Sequence, residues 1–163
     1  MKTPAHCLTA LALLALFALS ACTTMAPPEN PQGVHGMIAI KSVHDTKTTM
    51  DRFEAAVKAN DMTVFARVNH EAGAAKIGKT LRPTEVLIWG SPQGGTPMML
   101  CAQTVGIDLP QKALVWQDEK GVVYLGWNDP VHLVAARHET AGCEAVTRQI
   151  AAAIRGFAQQ AAN

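Results

Sequence analysis

Residues 113–127 read Ala113-Leu114-Val115-Trp116-Gln117-Asp118-Glu119-Lys120-Gly121-Val122-Val123-Tyr124-Leu125-Gly126-Trp127. Two runs rich in branched and aromatic residues, Ala113–Gln117 and Val122–Trp127, flank a short polar segment that ends in glycine. That pattern predicts a β-hairpin, and with it an antiparallel sheet. Upstream, Thr84–Gly90 carries Val86, Leu87, Ile88 and Trp89 behind Pro83, a third strand whose first position tolerates the missing N–H. Further out, Met37–Ser42 reads as a strand. Met62–His70 alternates, with Met62, Val64, Ala66 and Val68 expected on one face and His70 following them at the strand's end.

Helical spacing frames these strands. Asp45 or Thr46 can cap a helix that runs to about Ala59, with Met50, Phe53 and Val57 on its core face and Asn60 as the left-handed residue closing it. The last helix is expected from about Ala141 to Ala161, with Val146, Ile150, Ile154 and Phe157 inward. Shorter helices are expected at 71–78, 98–105 and 131–137, and Ser91–Pro97 reads as a loop. The order β-α-β-β-β-β-α predicts an α+β sandwich, helices packed on one face of an antiparallel sheet, with short helices in the connections.

The N-terminus reads as an address. Lys2 and His6 precede an apolar run from Leu8 to Leu19, too short for a membrane span of about 20 residues but suited to a signal peptide. Leu19-Ser20-Ala21-Cys22 resembles the bacterial lipobox, which implies cleavage before Cys22 and acylation of its sulfur. Thr23, where aspartate is absent, implies release to the periplasmic face of the outer membrane. Residues 1–21 are thus expected to be a signal peptide. Residues 22–36, with Pro27, Pro28 and Pro31, form a tether, and residues 37–163 one domain. The expected partner of Cys22 is the cell-envelope membrane itself.

Composition narrows the function. Hydrophobic residues make up 48% and charged residues 17% of the chain, which excludes a disordered protein. Loss of Lys2 with the leader balances 14 basic against 13 acidic residues, so nucleic acid is not an expected partner. Cys7 leaves with the leader. Cys101 and Cys143 remain as a candidate disulfide in an oxidising compartment, contingent on geometry. Cys143, in the first turn of the predicted last helix, is otherwise a candidate thiolate.

A further set of segments is ordered along the chain: Asn69-His70, Ala72-Gly73-Ala74, Leu81-Arg82-Pro83-Thr84-Glu85, Ile88-Trp89-Gly90-Ser91-Pro92 and Gly95-Thr96-Pro97-Met98-Met99. Ile107-Asp108-Leu109-Pro110, Leu114-Val115-Trp116, Trp127-Asn128-Asp129-Pro130 and Arg137-His138 follow. From about Gly36 to Glu139 the chain resembles the bacterial family called "domain of unknown function 302". That resemblance implies a β-α-β(4)-α fold related to the half-repeat of TATA-box-binding protein. It departs mildly at Trp89, Ser91 and Trp127. The family carries no established activity, so the resemblance implies a fold and no reaction.

Polar residues in these segments fall at strand ends and turns, where a sheet can converge groups on a pocket. His70, Arg82, Thr96, Asn128 and His138 are the candidate ligand-binding residues. His70 can accept or donate, Arg82 can fork onto an anion, and Asn128 offers donor and acceptor. No His-Glu-x-x-His, paired Cys-x-x-Cys, P-loop or Gly-x-Ser-x-Gly occurs, so neither a metal nor another cofactor is expected. The expected function is a lipid-anchored envelope protein that binds a small ligand or an envelope protein. The alternatives are an enzyme using His70 or His138 as general acid–base, and a structural envelope factor.

Overall fold

The computed structural model describes residues 33–139 and 141–163. The leader, Cys22 and the tether to residue 32 lie outside them. Strand β1 (Met37–Ser42) leads into helix α1 (Thr46–Lys58), then β2 (Thr63–Asn69), α2 (His70–Lys76), β3 (Thr84–Gly90) and α3 (Pro92–Cys101). A 3-10 turn (Gln103–Ile107), β4 (Gln111–Gln117) and β5 (Val123–Asn128) follow. The chain ends with a short α4 (Pro130–His132), a wide π turn (Leu133–Arg137) and α5 (Glu144–Ala162).

The five strands form one sheet in the order β1-β5-β4-β3-β2, antiparallel throughout. Residues 113–127 do form the central hairpin, with Trp116 opposite Tyr124 and Ala113 opposite Trp127. The architecture is the expected α+β one. Helices α1 and α5 cover one face: Met50, Phe53 and Val57 from α1 and Ile154, Phe157 and Ala161 from α5 pack on Leu87, Trp89, Ala113, Val115, Leu125 and Trp127. Burial of this apolar set drives the fold, at about 25 cal/mol per Å² removed from water. Trp89 anchors the layer edge-on between Phe53 and Phe157, with ring centroids at 5.7 and 6.0 Å. On the other face Trp116 stacks on Tyr124 at 5.3 Å, beside Ala39.

The helix ends follow the local chemistry. Asp45 caps α1 by accepting from Thr48 N–H at 2.6 Å. Arg52 donates to the carbonyls of Gln160 and Ala161, satisfying the end of α5 and complementing its dipole.

Several local expectations are corrected. Asp61, with φ of 56°, is the left-handed residue after α1, while Asn60 donates from Nδ2 to the Ala56 carbonyl. The loop expected at Ser91–Pro97 is helical. Ser91 accepts from Gly94 N–H and Pro92 occupies the first turn, a start signal that outweighs two glycines and Pro97.

The largest correction is in β2. Val64 pairs with Trp89 but Ala66 pairs with Ile88, so Phe65 is an extra residue in a β-bulge. One extra residue reverses the alternation beyond it. Val68 therefore lies on the face away from α1 and α5, 40% exposed, and Arg67 turns toward the helices opposite Leu87. There its guanidinium forks onto Glu85 through two 2.8 Å bonds and reaches Asp51 at 2.6 Å and Glu54 at 3.1 Å.

Candidate functional site

The bulge, α3 and α5 enclose a cavity of about 390 Å³ beside the ends of β3 and β4. That volume is in the range of small-molecule sites. Its floor is Trp89, Gly90 and Gln111, its bulge side Met62 and Phe65, and its helical walls Thr96, Met98 and Met99 of α3 and Ile150, Ala153, Ile154 and Phe157 of α5. Gly106, Leu109 and Pro110 close the remaining side. Small residues set the spacing between these walls: a Cβ on Gly95 would meet Leu109 Cδ1 at 3.4 Å, and one on Gly106 would meet Met99 Sδ at 3.4 Å.

None of the lining side chains is ionisable. Two are polar and almost wholly buried. Gln111 is 6% exposed, and neither its Nε2 nor its Oε1 has a hydrogen-bond partner. Trp89 is 3% exposed, and its Nε1 is likewise unpartnered. The two residues are opposite one another in the β3–β4 ladder. Their side chains therefore rise side by side from the same face. An unpaired carboxamide in apolar surroundings is costly.

Wall geometry is held by a disulfide. Cys101, the last residue of α3, is bonded to Cys143, just before α5, with Cα atoms 6.1 Å apart. The candidate pairing is present in the structure, and the thiolate reading of Cys143 is overturned because a disulfide sulfur does not titrate.

The sequence-derived site residues do not converge. Thr96 alone lines the cavity. His70 opens α2 and is exposed. Arg82 is exposed and donates from Nε to the Gln117 carbonyl. Asn128 ends β5 opposite Met37. His138 belongs to a second cluster. Its Nε2 lies 2.8 Å from Asp108 Oδ2, its Nδ1 lies 2.8 Å from the Thr104 hydroxyl, and Arg137 Nε is 3.2 Å from the same carboxylate oxygen. With a neutral imidazole, the carboxylate can only accept, so Nε2 carries the proton and Nδ1 accepts from Thr104. Among the described residues no group of three His, Cys, Asp or Glu side chains is placed to hold a metal ion.

The sequence profile described as "Domain of unknown function DUF302" matches residues 38–157. The chain belongs to the DUF302 family. A crystal structure of an uncharacterized conserved DUF302 protein from Bacillus stearothermophilus superposes with a TM-score of 0.69, covering 78% of this chain and 98% of that one. At 17% identity, that likeness shows the shared fold alone. Three curated relatives are 46% identical over 103 residues, or 63% of this chain. They are "Fluoride-specific ion channel FluC 1" of Brucella suis and of Brucella abortus, and "Fluoride-specific ion channel FluC 2" of Brucella melitensis. This DUF302 chain spans about two fifths of their length, 40% of the first and 38% of the others. No helix among its described residues is long and apolar enough to cross a membrane.

Proposed function

We propose that this DUF302 protein is lipid-anchored through Cys22 at the periplasmic face of the outer membrane and that its domain binds a small apolar ligand. The cavity carries the reading: it is roofed by helices, walled by methionine and aliphatic side chains, and floored by a buried, unpartnered Gln111. A lining without charge favours an apolar body over an ionised metabolite. The lipobox supports the anchor. The Brucella channels support a membrane setting, since there a related stretch is part of a chain named for a membrane activity.

The test is native mass spectrometry of the full-length protein taken from its own envelope. The wild type is expected to carry an added mass. The Ala153→Trp variant, which places an indole at an exposed position of the α5 wall, is expected to lack it. A bare mass for the wild type removes the reading and moves the weight to a structural envelope factor. In the same preparation Cys22→Ala should leave the membrane fraction or stay unprocessed, and normal detergent-phase partitioning of that variant removes the anchor.

A second reading, an envelope hydrolase, rests on the Thr104–His138–Asp108 chain of hydrogen bonds. A histidine held by a carboxylate and facing a hydroxyl is the arrangement that activates a nucleophile. Hydrolysis of a short p-nitrophenyl ester that disappears in Thr104→Val would support it, and unchanged or absent turnover would end it.

A further inference from the structure

We infer that the rim of the cavity docks on the surface of a phospholipid bilayer, with Phe65, Met99, Leu100 and Ile107 set into the headgroup–acyl boundary, so that the cavity opens toward the membrane. The inference rests on the anchoring of Cys22 and names the surface on which the anchored domain sits.

The strand ends decide which part of the domain faces the anchor. Met37 pairs with Asn128, Ala113 with Trp127, Gln111 with Trp89 and Thr63 with Gly90. These pairs place the starts of β1, β4 and β2 and the ends of β5 and β3 at one end of the antiparallel sheet. The cavity lies at that end, where Gly90, Pro110 and Gln111 line it. The chain enters the domain there too, since Val34 precedes β1 and its carbonyl accepts from Met37 N–H. In the sheet order, β1 and β3 are three strand spacings apart, or about 14 Å. Gly33 is the eleventh residue after Cys22, so covalent geometry keeps the anchor within about 40 Å of it. The anchor thus holds the cavity end of the domain next to the bilayer.

That end presents an apolar surface. Phe65 and Met99 line the cavity and are also exposed. Leu100, 82% exposed, lies one turn beyond Thr96 on the same face of α3, and Thr96 lines the cavity. Ile107, 76% exposed, follows Gly106 in the opposite wall. A cluster of large apolar side chains around an uncharged mouth marks a surface that lipid or protein covers. The anchor at the same end decides for lipid, and side chains of this kind are the ones that settle at the headgroup–acyl boundary. At the other end of the sheet, exposed Glu119 and Lys120 form the β4–β5 turn, and exposed Val43 and Ile77 stand in sequence beside Asp45, Lys76 and Lys79.

The experiment places full-length lipidated protein on vesicles of phosphatidylethanolamine and phosphatidylglycerol, with and without bromine on the acyl chains. Leu100→Trp and Ile107→Trp report on the rim, and Val43→Trp reports on the opposite end; all three positions are exposed. Trp89, Trp116 and Trp127 are buried, and the wild type supplies their background. After subtraction, bromination is expected to lower the emission of each rim indole by about half or more and that of Val43→Trp by less than about a tenth. Protein that floats with the vesicles while both rim indoles stay unquenched, or while Val43→Trp is quenched as strongly, keeps the anchor and overturns the inference. A blue-shifted rim indole that brominated lipid does not quench places a second copy of the chain on the rim, and likewise overturns it. Full-length protein that does not float with the vesicles overturns the anchor, and this inference with it.

Discussion

Opening the Cys101–Cys143 bridge is the perturbation whose cost the structure sizes best. The two cysteines are 42 residues apart in sequence, and the loop they close contains the 3-10 turn, β4, β5, α4 and the π turn. In the chain-entropy account a loop of that length removes about 13 cal/mol/K from the unfolded chain, or about 4 kcal/mol at 25 °C. Unfolding entropy of about 2.1 cal/mol/K per residue, taken over the span 33–163, converts that loss to a fall in Tm of about 15 °C. The bridge also has a local effect. It ties the end of α3 to the start of α5, and both helices wall the cavity, so its removal should loosen α3 before the rest of the sheet unfolds. The assay is thermal melting of the wild type and of a Cys101→Ala, Cys143→Ala double variant, with amide exchange measured across α3. Alanine leaves small voids at half-buried positions, so wild type reduced with dithiothreitol serves as the control that keeps both side chains. A reduced protein, thiols confirmed by titration, that melts within about 3 °C of the oxidised one would refute the loop-closure reasoning.

Two further predictions concern the sheet. Asp51 is held below the usual carboxylate range by hydrogen bonds from Lys47 and then Arg67, and Glu54 by Lys58 and then Arg67. A lowered folded-state pKa means that the stability is complete above the ordinary carboxylate values and is lost as pH falls through the lowered ones. Thermal melts should therefore be flat from pH 7 to about 5 and fall below about pH 4, and Arg67→Met should both lower the plateau and shrink the acid fall; parallel profiles for the two proteins would contradict this. Gly126→Ala places a Cβ 3.0 Å from Trp116 Cζ3 and 3.2 Å from the Ile38 carbonyl oxygen, the latter on an adjoining strand that cannot yield easily. It should cost about 1–3 kcal/mol in urea unfolding with an unchanged m-value, and an unaltered midpoint would show that the Trp116–Tyr124 stack shifts freely.

Where the hydrophobic period was long and uninterrupted, it was enough to read the fold. Strands β1 and β3 begin and end at the residues their alternation marks, and Met50, Phe53 and Val57 are all wholly buried. The misreading of β2 arose where a local signal is overridden by a partner distant in sequence. In β2 the apolar alternation of Val64, Ala66 and Val68 is real, but pairing with β3 inserts Phe65 as a bulge. The reward for that insertion is electrostatic, because it delivers Arg67 to Glu85, Asp51 and Glu54 on the covered side. Arg67 at an uninterrupted position would face away from all three. In α3 two glycines and a proline suppress the helical signal, yet Ser91-Pro92 starts a helix in which Gly95 lies close to Leu109 and Met99 lies against Gly106 of the 3-10 turn.

The site was harder to read because its chemistry is mostly apolar. A search along the chain for convergent charge finds histidines and arginines at strand ends, and four of the five residues it selects lie elsewhere than the cavity. The buried polar side chain on the cavity floor is a neutral one whose placement depends on parity. Gln111 looks like the polar edge of a strand until β4 is set in register with β3. Then it falls on the covered face with Ala113 and Val115, directly opposite Trp89. A polar residue at a core-parity position, flanking a Pro-Gln step after a glycine-rich helix, was the available signal. The bulge completes the case. Paired regularly, Phe65 would point to the face away from the helices; as the extra residue it lines the cavity, 59% exposed. The register irregularity and the cavity are thus two results of one insertion. Deleting Phe65 should leave a regular strand with Val64 opposite Trp89 and Arg67 still opposite Leu87, so the acid-sensitive plateau should persist while binding of a small apolar probe such as naphthalene weakens with the lost wall; loss of the plateau would show that Arg67 had changed face.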